Sequence, residues 1–150
     1  MFTLVPVNFF DPAAAREVLS DVAQLKSTDE VKYEQVPQYG AVLIYVSGGP
    51  GKGLPEIFYL LRDLPSCKEY NKLLCSWQDG ILSIAVAQGK SLLLANSYQA
   101  PDFTTAQYYI YLALKSLQLN PEVTTIHFKH SLPEEHQLSL YRYFKSVDCK

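Results

Sequence analysis

The chain has 150 residues, enough for one domain or for two small lobes sharing a core, and long enough to bury about two-thirds of its unfolded surface. Apolar residues make up 48%, which argues against wholesale disorder, and a net charge of −2 with a pI near 5.9 leaves no basic field for nucleic acid. No apolar run reaches the roughly 18 residues that cross a bilayer, and Met1-Phe2-Thr3-Leu4 lacks the basic start of a signal peptide, so the expected location is cytoplasmic.

The first half is expected to read β-α-β-β-α. Phe2–Pro6 suits a short strand. Asp11-Pro12 starts a helix well, because Asp accepts from the first unpaired amides and Pro occupies the first helical position. Ala14, Val18, Val22 and Leu25 then recur at near-helical spacing, which predicts a helix through Leu25. Val31, Tyr33 and Val36 alternate with charged residues as in a half-exposed strand, ended by Pro37. Ala41–Val46 is almost wholly apolar, as in a strand covered on both faces. Ser47–Gly53 is a glycine-rich loop and Leu54–Leu61 begins another helix. Pro65 and the polar residues around it mark a boundary at 64–70, dividing a lobe over 1–64 from one over 71–150.

The second half is expected to read β-β-β-α-β-α. Asn71–Trp77, Ile81–Ala87 and Ser91–Ser97 are apolar runs separated by Gln78-Asp79-Gly80 and Gln88-Gly89-Lys90. Asp79-Gly80 favours a tight hairpin because both residues tolerate positive φ. Cys75 and Trp77 share one strand face, the one predicted to meet the core. A helical pattern spans Thr104–Leu119, Val123–Lys129 is extended, and Pro133–Phe144 is a second helix. This order matches the half-unit shared by ribonuclease-H-like and actin-like domains, and a fold does not settle a function.

The chemistry of those folds is missing. Ribonuclease-H-like enzymes hold two metals with carboxylates on the first strand, the helix and near the fourth strand. Here the first strand offers Lys72, Ser76 and Trp77, the long helix has no Asp or Glu, and Val123–Lys129 has none. The loop Ser47-Gly48-Gly49-Pro50-Gly51-Lys52-Gly53 invites a phosphate-binding reading, with Gly49, Gly51, Lys52 and Gly53 as the candidate anion site. Its spacing fails: Val46 stands where the first glycine of the phosphate-loop pattern belongs, Gly53 stands where Ser or Thr would meet magnesium, and Pro50 lacks an amide donor. The bland reading is a plain connection.

Three histidines and three cysteines show no ligand spacing. His127 and His130 leave opposite faces of a strand, and His136 sits beside Glu134 and Glu135 in solvent-facing company. The odd cysteine count suits a reducing compartment, with Cys67, Cys75 and Cys149 structural. No metal and no cofactor are expected.

The long helix is apolar nearly all round. Ala106, Tyr109, Ile110, Ala113 and Leu117 form one stripe, and Tyr108, Tyr111, Leu112 and Leu119 a second. The bland expectation is that the first lobe covers the second stripe. The rival is a partner chain, with Tyr108, Tyr111 and Leu112 as the candidate interface.

The run Gly89-Lys90-Ser91-Leu92-Leu93-Leu94-Ala95-Asn96-Ser97-Tyr98, followed by Asp102-Phe103-Thr104-Thr105-Ala106-Gln107-Tyr108-Tyr109, resembles a Bacteroides-type family of unknown function with an actin-like ATPase, ribonuclease-H-like fold. Leu117–Pro121 and Leu140-Tyr141-Arg142-Tyr143-Phe144 are similar to it as well. Phe2-Thr3-Leu4-Val5-Pro6 with Phe10-Asp11-Pro12 looks like the family's middle region, which implies a truncated N-terminal lobe. The resemblance brings no catalytic residues. The expected function is a non-catalytic protein-interaction or scaffold module acting as a homodimer or with a protein partner. The alternative is a nucleotide- or phosphate-binding protein using the loop 47–53.

Overall fold

The computed structural model describes residues 1–47 and 53–149. Among them, eight strands and four helices follow in the order β1 (Phe2–Pro6), α1 (Ala15–Ser20), β2 (Val31–Val36), β3 (Ala41–Val46), α2 (Glu56–Asp63), β4 (Asn71–Gln78), β5 (Ile81–Gln88), β6 (Ser91–Gln99), α3 (Phe103–Ser116), β7 (Thr125–Phe128), α4 (Glu134–Tyr141) and β8 (Ser146–Cys149). The strands form an antiparallel three-stranded sheet, β1-β3-β2, and a mixed five-stranded sheet, β6-β5-β4-β7-β8. In the larger sheet β4, β5 and β6 are an antiparallel meander, while β7 and β8 run parallel to β4.

Side-chain alternation along the strands explains how these parts stack. On β3, Ile44 packs with Ala15 and Leu19 of α1, whereas Leu43 and Tyr45 face α2. Both faces of β3 are therefore covered, as its unbroken apolar run requires. Helix α2 buries Ile57, Leu60 and Leu61 between the two sheets. The larger sheet meets it with Leu74, Ala85 and Ala87, and two alanines on β5 leave room for the helix. On the opposite face Leu73, Cys75, Leu82, Ile84 and Val86 pack under α3 and α4. Cys75 is fully buried there and Trp77 packs against the same cluster, its indole N–H donating to the Ala100 carbonyl at 2.8 Å.

The turns follow their residues. Asp79 and Gly80 both have positive φ, 52° and 72°, as the tight β4–β5 hairpin demands. Gly89 has φ 55° at the β5–β6 turn.

Several elements differ from expectation. Helix α1 stops at Ser20, because Arg16 donates to the carbonyls of Lys26 and Asp29 and draws the chain into a polar turn; Val22 is left exposed. Helix α3 ends at Ser116, before Leu119. Gln118 takes a left-handed φ of 58°, its amide donates to the Lys115 carbonyl, and the Leu119 amide donates to Leu114. Together these bonds form the closure that usually takes glycine. Strand β8 has no counterpart in the expected order; its four residues are too few for a periodic signal, and pairing with β7 makes it a strand. The second stripe of α3 is not covered by the first half of the chain. Its cluster of buried partners comes from β4–β8 and α4, and the side facing away from the sheet stays open.

Candidate functional site

Of the proposed anion site, Gly49, Gly51 and Lys52 lie outside the described residues. Gly53 is exposed at the approach to α2. The first turn of that helix carries Glu56, whose carboxylate lies 3.6 Å from Lys129 Nζ and 3.3 Å from His130 Nε2. A cleft of about 530 Å³ opens beside it, between Phe2, Ile57 and the β5–β6 edge. The Ser83 and Ser97 hydroxyls in its wall bond to each other at 3.1 Å.

The histidines are tied to partners distant in sequence. His127, on β7, has Nε2 2.7 Å from Glu69 Oε1 and Nδ1 2.9 Å from Asp148 Oδ2. Burial raises the Glu69 carboxyl, but its bond with His127, a backbone bond and the charges of His127 and Lys72 outweigh burial and hold it below its ordinary value. Both ring nitrogens already have a carboxylate within hydrogen-bond distance, so each edge of the ring is engaged inside the protein. The cluster clamps the approach to β4 onto β7 and β8. His136 is not solvent-facing, contrary to expectation: its ring stacks on Phe103 and meets the edge of Trp77. No group of three or more His, Cys, Asp or Glu among the described residues is arranged to hold a metal. The three cysteines form no disulfide, and burial pushes the Cys75 thiol up, away from reactivity.

The candidate interface residues divide. Tyr108 is 60% exposed and Leu112 46%, side by side at i and i+4 on the outer face of α3. Tyr111 turns instead into the groove between α3 and α4, its ring 5.1 Å from Tyr143 and 5.8 Å from Phe144. Burial, and then the neighbouring Tyr143, push its phenol up to about 12, and its hydroxyl is buried without a partner. The two helices lie side by side and point the same way. Phe103 stacks on His136, Gln107 Nε2 donates to Ser139 Oγ at 2.8 Å, and Tyr111 meets Tyr143. This register brings Tyr143, 53% exposed, next to the α3 patch, and adds Leu138, 59% exposed, on the outer side of α4. Sequence reasoning missed these two because a helix–helix register is a long-range property.

No helix among the described residues is long and apolar enough to cross a membrane.

Residues 57–147 match the family described as protein of unknown function (DUF3822), and the chain belongs to that family. A crystal structure of a Bacteroides thetaiotaomicron protein with an actin-like ATPase fold and unknown function is similar to it, with a TM-score of 0.79 and 20% sequence identity. The likeness covers 99% of this chain and 64% of that one, so the chain spans less than two-thirds of its neighbour's length. At this identity the likeness is one of fold, an α/β fold of the actin-like kind. It agrees with the family resemblance carried by Gly89–Tyr98 and Asp102–Tyr109. No curated protein matches the chain.

Proposed function

We propose that the protein is a non-catalytic, cytoplasmic protein-interaction module on an actin-like fold, with residues 1–64 and 71–150 as its lobes, working through the outer face of α3 and α4. One observation carries the reading: Tyr108 and Leu112 on α3, Leu138 on α4 and Tyr143 in the turn that follows it stand exposed, while the opposite sides of both helices are packed. Tyrosine and leucine grouped on a rigid surface are the residues that bind partners, since aromatic side chains supply large contact area at low entropic cost.

The combined change Tyr108→Glu and Leu112→Glu tests it. Both side chains point to solvent, so the variant is expected to keep the wild-type circular dichroism and melting temperature. It is expected to lose association with its partner, measured by light scattering and by copurification from the native host. A wild-type protein that is monomeric at high concentration with no copurifying partner overturns the reading.

The rival, a phosphate held at Gly49, Gly51, Lys52 and Gly53, has Glu56 against it, because a carboxylate in the first turn of α2 repels an anion there. Melting with magnesium-ATP separates the two, since a ligand at about 100 times its dissociation constant stabilises by about 2.7 kcal/mol.

A further inference from the structure

Among the described residues four strands form the sheet edges, and three of them are guarded against pairing. β1 has five residues and ends in Pro6, β2 carries Lys32 and Glu34, and β8 has four residues with Asp148 among them. β6 has nine residues, Ser91–Gln99, without a charge or a proline. Its bulge falls near its start, opposite Val86 and Ala87, and leaves Leu94–Gln99 in regular register with β5. Alternate residues of an edge strand turn their backbone groups to the open side. Ser97 is one of them, its amide donating to the side-chain Oδ1 of Asn96 at 2.9 Å. Ala95 and Gln99 share its direction.

The helix layer is open on the same side. α4 packs on β8 at the far edge, and Gln107 and Tyr111 turn toward α4, which leaves α3 as the helix nearest β6. Tyr109 leaves α3 on the side away from α4 and stacks on Tyr98 of β6, ring centroids 4.4 Å apart. Leu112, one turn on and exposed, shares that side, and Tyr108 rests edge-on against Tyr109. An open strand edge is therefore flanked by an open apolar helix side.

We infer that the occupant of this edge is a second copy of the chain, paired β6 to β6 about a two-fold axis that passes through Asn96 perpendicular to the larger sheet. The inference rests on the interaction reading for Tyr108 and Leu112, names their partner, and moves the centre of contact to β6. Such an axis lays β6 antiparallel to β6 and α3 antiparallel beside α3 on the same face, joining two five-stranded sheets into one. Ala95 of each copy exchanges backbone hydrogen bonds with Ser97 of the other, and Leu94 of each lies opposite Tyr98 of the other. The Tyr98–Tyr109 stack sets the level of α3, which runs back along β6 from Phe103 beside Trp77. Asn96 lies about 7 Å along the strand from Tyr98. α3 covers that rise in about four to five residues, so Leu112 meets its own copy near the axis. Exposed Lys90 at the start of β6 and exposed Asp102 beyond its end are brought toward each other at both extremes of the contact. A lone extended peptide would satisfy the backbone of β6 and leave Leu112 open. A second copy brings a strand and a helix at the same spacing and covers both.

Asn96 is the residue that meets itself, which gives the test its specificity. Its side chain is exposed, so substitutions there are expected to leave the melting temperature of the dilute monomer unchanged. Asn96→Lys sets two ammonium groups against each other at the axis, and Asn96→Asp two carboxylates. Each variant of the full chain is expected to dimerise at least about tenfold more weakly than wild type in sedimentation equilibrium, with a smaller deficit in high salt. An equimolar mixture of the two pairs an ammonium group with a carboxylate and is expected to regain wild-type affinity as a heterodimer. Hydrogen exchange gives a second readout: the Ala95 and Ser97 amides are expected to be protected in the wild-type dimer and to exchange freely in Asn96→Lys. A wild-type monomer at high concentration overturns the inference. If that monomer copurifies with another protein, lost on Tyr108→Glu with Leu112→Glu, the interaction reading stands without it. A wild-type dimer indifferent to both charge variants overturns the assignment of the β6 edge. A dimer weakened by both, with no rescue in the mixture, overturns the register through Asn96.

Discussion

Phe103 and His136 stack with ring centroids 4.1 Å apart and planes only 6° from parallel, joining the first turn of α3 to the first turn of α4. His136 Nδ1 is buried there without a hydrogen-bond partner, so the stack carries a polar penalty. His136→Ala is expected to destabilise by about 1–2 kcal/mol through lost aromatic contact. His136→Phe keeps the stack and removes the orphaned nitrogen, so it is expected to be neutral or stabilising. Trp77, the sole tryptophan, lies 5.6 Å from His136, and its fluorescence in urea reports both outcomes.

Cys75 sits in the centre of the larger sheet with no solvent exposure. Cys75→Asp buries an unpaired carboxylate and is expected to lower stability by about 3–5 kcal/mol or to prevent folding. Cys75→Ala, which loses only the sulfur, is expected to cost about 1 kcal/mol. An unchanged melting temperature for Cys75→Asp would refute the assignment of this strand face to the core.

Gln118 carries backbone strain at the end of α3, where φ is 58°. Gln118→Gly is expected to raise stability by about 0.5–1 kcal/mol, since the left-handed conformation costs a residue with a Cβ roughly that much or more. Chemical denaturation measures it directly, and a loss of stability would argue that α3 runs on past Ser116.

The clamp around His127 has a pH signature. The Glu69 carboxyl is held below its ordinary value in the folded protein, against about 4.3 in an unfolded chain. Its contribution is therefore fully present above about pH 4.3 and is lost as pH falls through the lower folded value. Wild type is expected to exceed Glu69→Gln in stability near pH 5, and the margin should close toward about pH 3. A margin that widens as pH falls from about 5 to 3 would contradict the geometry.

Neither β4 nor α3 carries an acidic residue, so no metal-dependent phosphate chemistry is expected. Purified protein with magnesium or manganese is expected to leave ATP and nucleic acid intact. Turnover that disappears on Asp79→Asn would sink this expectation, because Asp79 is the acid at the β4–β5 turn.

Local chemistry carried the element order. Asp79-Gly80 marks a hairpin because few other pairs accept two successive positive φ values, and the apolar run Ala41–Val46 marks a doubly covered strand because both alternating faces are greasy. Asp102, which caps α3 by accepting from the Thr105 amide at 2.8 Å, marks that start for the same local reason. The family resemblance added the fold. Tertiary structure decided the rest. Whether Tyr111 turns inward or outward depends on where α4 lies, and the sequence of α3 alone does not say. His136 reads as solvent-facing beside two glutamates, yet Phe103 and Trp77 enclose its ring. Glu69 and Asp148 reach His127 from 58 and 21 residues away. Periodicity reports which side of an element is apolar; contact between elements, which sets what that side meets, is a property of the packed chain.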